Sequence, residues 1–208
     1  MNILVADDHA VVRRGLKQIL LDRYPVANIA EADNAQEVLN LVGEQHWDIV
    51  VLDISMPGKS GLEVLKELRK LYPKLPVLIL STHPEEQYAI RALKAGAAGY
   101  ITKEMAPEQL LSAVQKVISG GKYIGQSVAE LLAEKFSVAK ENVAHETLSD
   151  REYQVLCLIA SGKTIGHIGR ELSLSPNTIS TYRARILEKM GMTTNADLTR
   201  YVIENGLG

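Results

Sequence analysis

The chain has 208 residues, 46% hydrophobic and 23% charged, with a formal net charge of −2. That length suits one large domain or two small ones, and the apolar share is that of a globular chain. No apolar run reaches the roughly 18–20 residues that cross a bilayer, the N-terminus opens on a strand-like stretch, and the lone Cys157 excludes a disulfide framework; a cytosolic chain without signal peptide or membrane span is expected.

The first 120 residues alternate short apolar runs with helical patterns. NILVA (2–6) precedes an amphipathic stretch over 10–21, VANIAEA (26–32) precedes 35–42, and DIVVLD (48–53) precedes 62–71. PVLILS (76–81) precedes 85–95, and GYIT (99–102) precedes 108–118. Five βα units in series predict a parallel sheet with helices on both faces. Right-handed crossovers leave the flavodoxin-like strand order 2-1-3-4-5 as the expected α/β topology, with any ligand at the carboxyl ends of the strands.

After Gly120-Gly121 the pattern changes. VAELLAEKF (128–136) reads as a short helix and SVAKENVAHET (137–147) as a polar linker. From Leu148 only helical patterns follow: 151–160 capped by Ser149 or Asp150, 164–172, a helix from Ser175-Pro176 to about Met190, and a last one from Asn195. A short helix, a turn at Ser173-Leu174-Ser175 and a longer polar helix make a helix-turn-helix outline, so the second part is expected to be an all-α four-helix domain. The expected division is 1–120, a linker at 121–146, and 147–208.

Asp7 and Asp8 follow the first strand and Asp53 closes the third, its neighbour in this topology. Three carboxylates converging on one edge repel unless a cation joins them, and a hard divalent ion such as Mg²⁺ suits oxygen ligands. Ser81 and Lys103 end the fourth and fifth strands on the same edge. Three acids, a hydroxyl and an ammonium around one pocket point to a phosphate site with a carboxylate nucleophile. A lone Asp after a strand is usually a helix cap; the constellation carries the functional reading. Alternation along the strand selects Ser81 over Thr82, Tyr88 reads as core, and His83 reads as a plain loop residue in preference to one that tunes how quickly water attacks the phosphate.

Residues 1–120 resemble the receiver domain of two-component response regulators, through ILVADDH (3–9), VVLDISMPGKSGLEVL (50–65), PVLILST (76–82) and KAGAAGYITKE (94–104). The resemblance implies that Asp53 accepts a phosphoryl group from a sensor histidine kinase. It also implies that Asp7, Asp8, Asp53 and the Ser55 carbonyl hold Mg²⁺, that Lys103 pairs with the phosphoryl group, and that Ser81 and Tyr100 form a switch pair.

LSDREYQVLCLIASGKTIGHIGRELSLSPNTISTYRARILEKMGM (148–192) resembles the LuxR-type helix-turn-helix of the NarL/FixJ class of response regulators. That implies double-stranded DNA as partner, with the third helix of the domain in the major groove, and a homodimer on phosphorylation. Ile179, Ile186, Leu187 and Met190 are expected inside. Ser180, Thr181 and Ala184 are expected toward bases; Arg183, Arg185, Tyr182 and Lys189 toward phosphates; and Ser175, Asn177 and Thr178 toward the backbone at the helix start. Gly166 and Gly169 in the preceding helix depart from the family pattern, each costing about 1 kcal/mol against alanine. Residues 147–208 carry seven Lys/Arg and six Asp/Glu, so any DNA binding rests on local placement of charge.

Two rivals remain at this point. A phosphatase or phosphotransferase with an aspartyl nucleophile usually needs a second acid two residues on, where this chain has Ser55. A receiver controlling a protein- or RNA-binding module with a degenerate DNA-binding domain is compatible with the weak positive charge.

Overall fold

A computed structural model describes residues 1–83, 85–137 and 144–207. They form two compact units, Met1–Ala133 and Glu134–Gly208.

The first unit is an alternating α/β layer structure. Its strands are β1 (Asn2–Ala6), β2 (Asn28–Ala32), β3 (Ile49–Asp53), β4 (Val77–Ser81) and β5 (Gly99–Thr102), all parallel in the order β2-β1-β3-β4-β5. Its first five helices are α1 (Ala10–Arg23), α2 (Ala35–Glu44), α3 (Gly61–Leu71), α4 (Glu85–Lys94) and α5 (Ala106–Ile118). The order is the one expected from the sequence. β3 and β4 are buried along their whole length, which is why they read as continuous apolar runs rather than as alternation. Ile3, Val5, Ile49, Val51, Leu78 and Leu80 share a core with Leu16 and Leu20 of α1 and Leu110, Ala113 and Val114 of α5. Each such Val, Leu or Ile side chain, fully buried, contributes roughly 1.5–3 kcal/mol of hydrophobic stabilisation.

Structure continues beyond residue 120. Tyr123 pairs in parallel with Gly99 at the outer edge of β5, its N–H donating to the Ala98 carbonyl at 2.8 Å. Helix α6 (Gln126–Ser137) follows, with Val128 buried and the Ser127 hydroxyl donating to the Glu85 carboxylate. Much of the segment assigned to a linker is therefore part of the first compact unit. Its central stretch, 138–143, lies outside the described residues.

Within the second unit, a 3-10 turn, Ala144–Thr147, is followed by α7 (Asp150–Ala160), α8 (Ile165–Glu171), α9 (Pro176–Met190) and α10 (Asn195–Glu204). Ser149 caps α7 in a reciprocal box with Glu152, Thr164 caps α8, Ser175 caps α9 with Pro176 in its first turn, and Thr194 caps α10 in a box with Asp197. The start of this unit also lies before the expected 147: His145 is buried, and its Nδ1 stands 3.0 Å from the Tyr201 hydroxyl of α10. Cys157 is half-buried with its sulfur 4.0 Å from the Leu207 carbonyl. Leu198 and Val202 close the core, whereas Ile203 is 71% exposed. Among the described residues no helix is long and apolar enough to cross a membrane.

Gly169, expected only as a departure that costs helix stability, is required by the approach of another backbone. A Cβ there would stand 2.7 Å from the Leu174 carbonyl oxygen, closer than any side chain tolerates, because α8 and α9 meet across a very tight turn. In that turn the Leu174 N–H donates to the Gly169 carbonyl at 2.8 Å, and Ser173 is held at φ 53. Gly166 has open space around the same position and keeps its helix cost.

Candidate functional site

Parallel strands and right-handed crossovers bring the ends of β1, β3, β4 and β5 to one edge, and that edge carries the candidate site. Asp7 directly follows β1 and is fully buried; Asp53 closes β3 and is 1% exposed; Ser81 ends β4, also buried. Lys103 follows β5, its N–H donating to the Ser81 carbonyl at 2.7 Å, which fixes where its side chain departs. Its Nζ donates to Asp53 Oδ2 at 2.9 Å and lies 2.6 Å from Asp7 Oδ2, an ion pair whose direction is off the hydrogen-bond axis. Asp53 Oδ1 is buried and accepts no hydrogen bond among the described residues. Burial pushes the Asp53 carboxyl up from 3.8 to about 6, against the pull of the Lys103 ammonium and with the repulsion of Asp7 adding to the rise. Burial works to lower Lys103, but the charges of Asp53 and Asp7 prevail and hold its ammonium above the ordinary value.

Ligand atoms of Asp7, Asp8, His9 and Asp53 lie within 4.8 Å of one another. His9 Nδ1 is 2.7 Å from Asp8 Oδ1 and 3.2 Å from Asp7 Oδ1. On the far side Arg13 donates to the Asp7 carbonyl at 2.6 Å. This is a donor set of carboxylate oxygens with an orphaned buried oxygen among them, which fits a hard divalent cation.

The β3–α3 loop holds Ser55 two residues past Asp53 through a contact that was not expected. Ser55 Oγ is 3.0 Å from His83 Nε2. The same histidine donates its backbone N–H to Ser81 Oγ at 3.0 Å and accepts at its carbonyl from the buried Tyr100 hydroxyl at 2.7 Å. Its ring stacks on Tyr88, with centroids 4.4 Å apart. Reading His83 as a plain loop residue is thus corrected: it ties Ser81, Tyr100 and Ser55 together. Gly61 was also passed over. A Cβ at Gly61 would overlap the Asp53 carbonyl, so only glycine lets the start of α3 lie against the backbone of Asp53. Its place after Ser60, the cap of α3, was the available signal.

In the second unit α9 presents two distinct faces. Ile179, Ile186 and Met190 are buried and Leu187 is half-buried. Ser175, Asn177, Ser180, Thr181, Ala184 and Arg185 are exposed, and Thr178, Tyr182 and Arg183 are half-exposed beside them. Several of these polar groups are already engaged. Ser175 Oγ accepts the Thr178 N–H at 3.1 Å, and Ser180 and Thr181 donate back to the Pro176 and Asn177 carbonyls, each at 3.0 Å. Arg183 donates to Asn195 at 2.6 Å. Lys189 stands apart from the others: its ammonium is 2.6 Å from Glu152 Oε2, the carboxylate that also boxes the start of α7. Burial alone would raise Glu152, but that ammonium and the Ser149 groups hold its carboxyl below the ordinary value.

Comparison with known proteins agrees with both halves. Residues 3–115 match the response regulator receiver domain, and residues 146–202 match the bacterial regulatory proteins of the luxR family. The chain is 34% identical over 208 residues to the response regulator GacA of Pseudomonas aeruginosa, covering 100% of this chain and 97% of that one. To the response regulator UvrY of Escherichia coli it is 32% identical over 208 residues, covering 100% and 95%. Among solved structures it is similar to RcsB from Salmonella enterica serovar Typhimurium bound to promoter rprA in the presence of the phosphomimetic BeF3- (TM-score 0.63, 25% identity, 98% of each chain). It is likewise similar to RcsB in a structure of two dimers bound to two parallel DNAs (TM-score 0.61, 26% identity, 98% of each chain). The chain belongs to the response regulators of the NarL/FixJ class, a receiver domain followed by a LuxR-type helix-turn-helix domain.

Proposed function

We propose that this response regulator is a cytoplasmic transcription regulator that binds duplex DNA through α9 and is switched by phosphorylation of Asp53. The observation that carries the switch is the buried Asp53 carboxylate, paired on Oδ2 with Lys103 and without a hydrogen bond on Oδ1 among the described residues.

Asp53 attacks the phosphorus of a sensor kinase phosphohistidine; the new P–O bond forms as the P–N bond breaks and the imidazole leaves. Asp7, Asp8, Asp53 and the Ser55 carbonyl would hold Mg²⁺. When bound, that ion keeps Asp53 ionised and spreads the charge of the transferring phosphoryl group. Lys103, already between two carboxylates, follows the new charge without leaving the pocket. Ser81 turns its hydroxyl toward the phosphoryl oxygens and gives up the His83 N–H it now accepts. Tyr100, bonded to the carbonyl of the same residue, is coupled to that release. A complete reversal from 1:99 to 99:1 between the two states takes about 5.5 kcal/mol of differential stabilisation.

For the second domain, the exposed face of α9, bearing Asn177, Ser180, Thr181, Ala184 and Arg185, is the surface offered to a major groove, with Ser175 and Thr178 at its N-terminus suited to phosphates. Lys189 acts within the domain rather than on DNA. Binding as a homodimer to paired half-sites follows the RcsB dimers on DNA. The test is selection from random duplex DNA by the full chain, with and without beryllofluoride. Enrichment of a two-fold symmetric site that depends on beryllofluoride and is lost in Asp53→Ala is expected; equal enrichment in all three samples would overturn the switch.

A further inference from the structure

Helix α6 starts without a side-chain cap of its own. Gly125 precedes it, its carbonyl accepting the Ala129 N–H at 3.0 Å, and has no side chain to offer the first turn. No acidic residue stands in that turn either. The missing anion comes from another element. Glu85, the first residue of α4, accepts the Ser127 hydroxyl, and a Cβ on Gly125 would stand 3.4 Å from Glu85 Oε1. The carboxylate therefore lies against the uncapped end of α6.

Packing holds this helix only thinly. Val128 is buried and Leu131 and Leu132 are half-buried, whereas Gln126, Ser127, Ala129, Glu130 and Ala133 are exposed. A helix of 12 residues is marginal in water by itself, so its first turn depends on the borrowed carboxylate. Glu85 also stands two residues beyond His83. That histidine donates its N–H to Ser81 Oγ at 3.0 Å and accepts the Tyr100 hydroxyl at its carbonyl at 2.7 Å. The residue that caps α6 is therefore the near neighbour of the one that Ser81 releases when it turns to a phosphoryl group.

We propose that Glu85 is a borrowed cap that makes α6 conditional: phosphorylation of Asp53 draws Glu85 away with His83, the carboxylate leaves Ser127 and Gly125, and α6 unwinds from its first turn. The coupling rests on reading Asp53 as the phosphoacceptor; the cap itself does not. The consequence is reach. As a helix the 12 residues span about 18 Å, and fully extended they span at most about 40 Å. Phosphorylation thereby lengthens and loosens the tether that leads to the helix-turn-helix domain.

The test is amide hydrogen exchange of the full chain, read residue by residue by NMR, with and without beryllofluoride and Mg²⁺. Wild type is compared with Glu85→Ala and with Glu85→Ala/Gly125→Ser, which gives α6 a cap of its own. Beryllofluoride is expected to speed exchange in the first two turns of wild-type α6 about fivefold, the size of one lost cap. Glu85→Ala shows the same increase without beryllofluoride, and the double variant is protected in both conditions. The Tyr123 amide, bonded to the Ala98 carbonyl at 2.8 Å, keeps its protection throughout. Exchange in α6 that Glu85→Ala leaves unchanged overturns the borrowed cap. Should Glu85→Ala expose α6 while beryllofluoride alters only the surroundings of Asp53 in wild type, the coupling is overturned and the phosphoacceptor reading stands. No effect of beryllofluoride anywhere in the receiver overturns that reading and the coupling with it.

Discussion

Asp53→Asn is expected to stabilise the receiver when divalent cations are absent, although it removes the phosphoacceptor. The carboxyl is 1% exposed, and its displacement from 3.8 to about 6 corresponds to about 3 kcal/mol of folding free energy lost near neutral pH. The sign follows from proton binding. Between 3.8 and about 6 the folded state holds more protons than the unfolded one, so this contribution is fully present below 3.8 and is lost as pH rises through about 6. Asparagine keeps the shape and removes the charge. Lys103 gives up one carboxylate but keeps Asp7 at 2.6 Å, so the net gain is smaller, about 1–3 kcal/mol. At about 4 °C per kcal/mol for a unit of this size, the melting midpoint in EDTA rises by about 4–12 °C. Calorimetry at neutral pH, and at a pH midway between the two values, measures the gain and its decline on acidification. Added Mg²⁺ at 100 times its Kd stabilises wild type by about 2.7 kcal/mol and the variant far less, closing or reversing the gap. An Asn variant that melts below wild type in EDTA near neutral pH, or a difference that does not vary with pH, refutes the account of Asp53.

The remaining predictions concern the second domain. Gly166→Ala gains up to about 1 kcal/mol of stability, whereas Gly169→Ala loses about 1–3 kcal/mol because its Cβ meets the Leu174 carbonyl; urea unfolding of the two variants compares them directly. Glu152, held below the ordinary value, contributes stability that is present above its unfolded pKa and is lost as pH falls through its folded one. Glu152→Gln therefore removes part of the acid-side decline in the melting midpoint, and no change in that decline would contradict the pairing with Lys189. Arg185→Ala weakens DNA binding evenly across sequences and lowers the salt slope by about 1, while Lys189→Ala leaves the slope unchanged and lowers stability instead; fluorescence anisotropy against salt concentration distinguishes them.

The strand order, the gathering of Asp7, Asp53, Ser81 and Lys103 at one edge, and the two faces of α9 were all legible from the chain. Each depends on local periodicity and on the handedness of crossovers, which are properties of neighbouring residues. What tertiary structure alone decided are contacts between positions far apart in the chain. His83 looks like a loop residue until the β3–α3 loop brings Ser55 to its ring, 28 residues away in sequence. His145 looks like linker until Tyr201, 56 residues away, meets it. Lys189 is an exposed cation, as the sequence leads one to expect, and only the packing of α9 against α7 shows that its ammonium meets Glu152. Gly61 and Gly169 carry the same lesson for backbone: a helix-propensity argument sees a cost, and only the approach of the Asp53 and Leu174 carbonyls makes a Cβ impossible. Periodicity tells which face a residue occupies; which atom meets it there depends on how the elements close, and that closure is set by the packing of the whole unit.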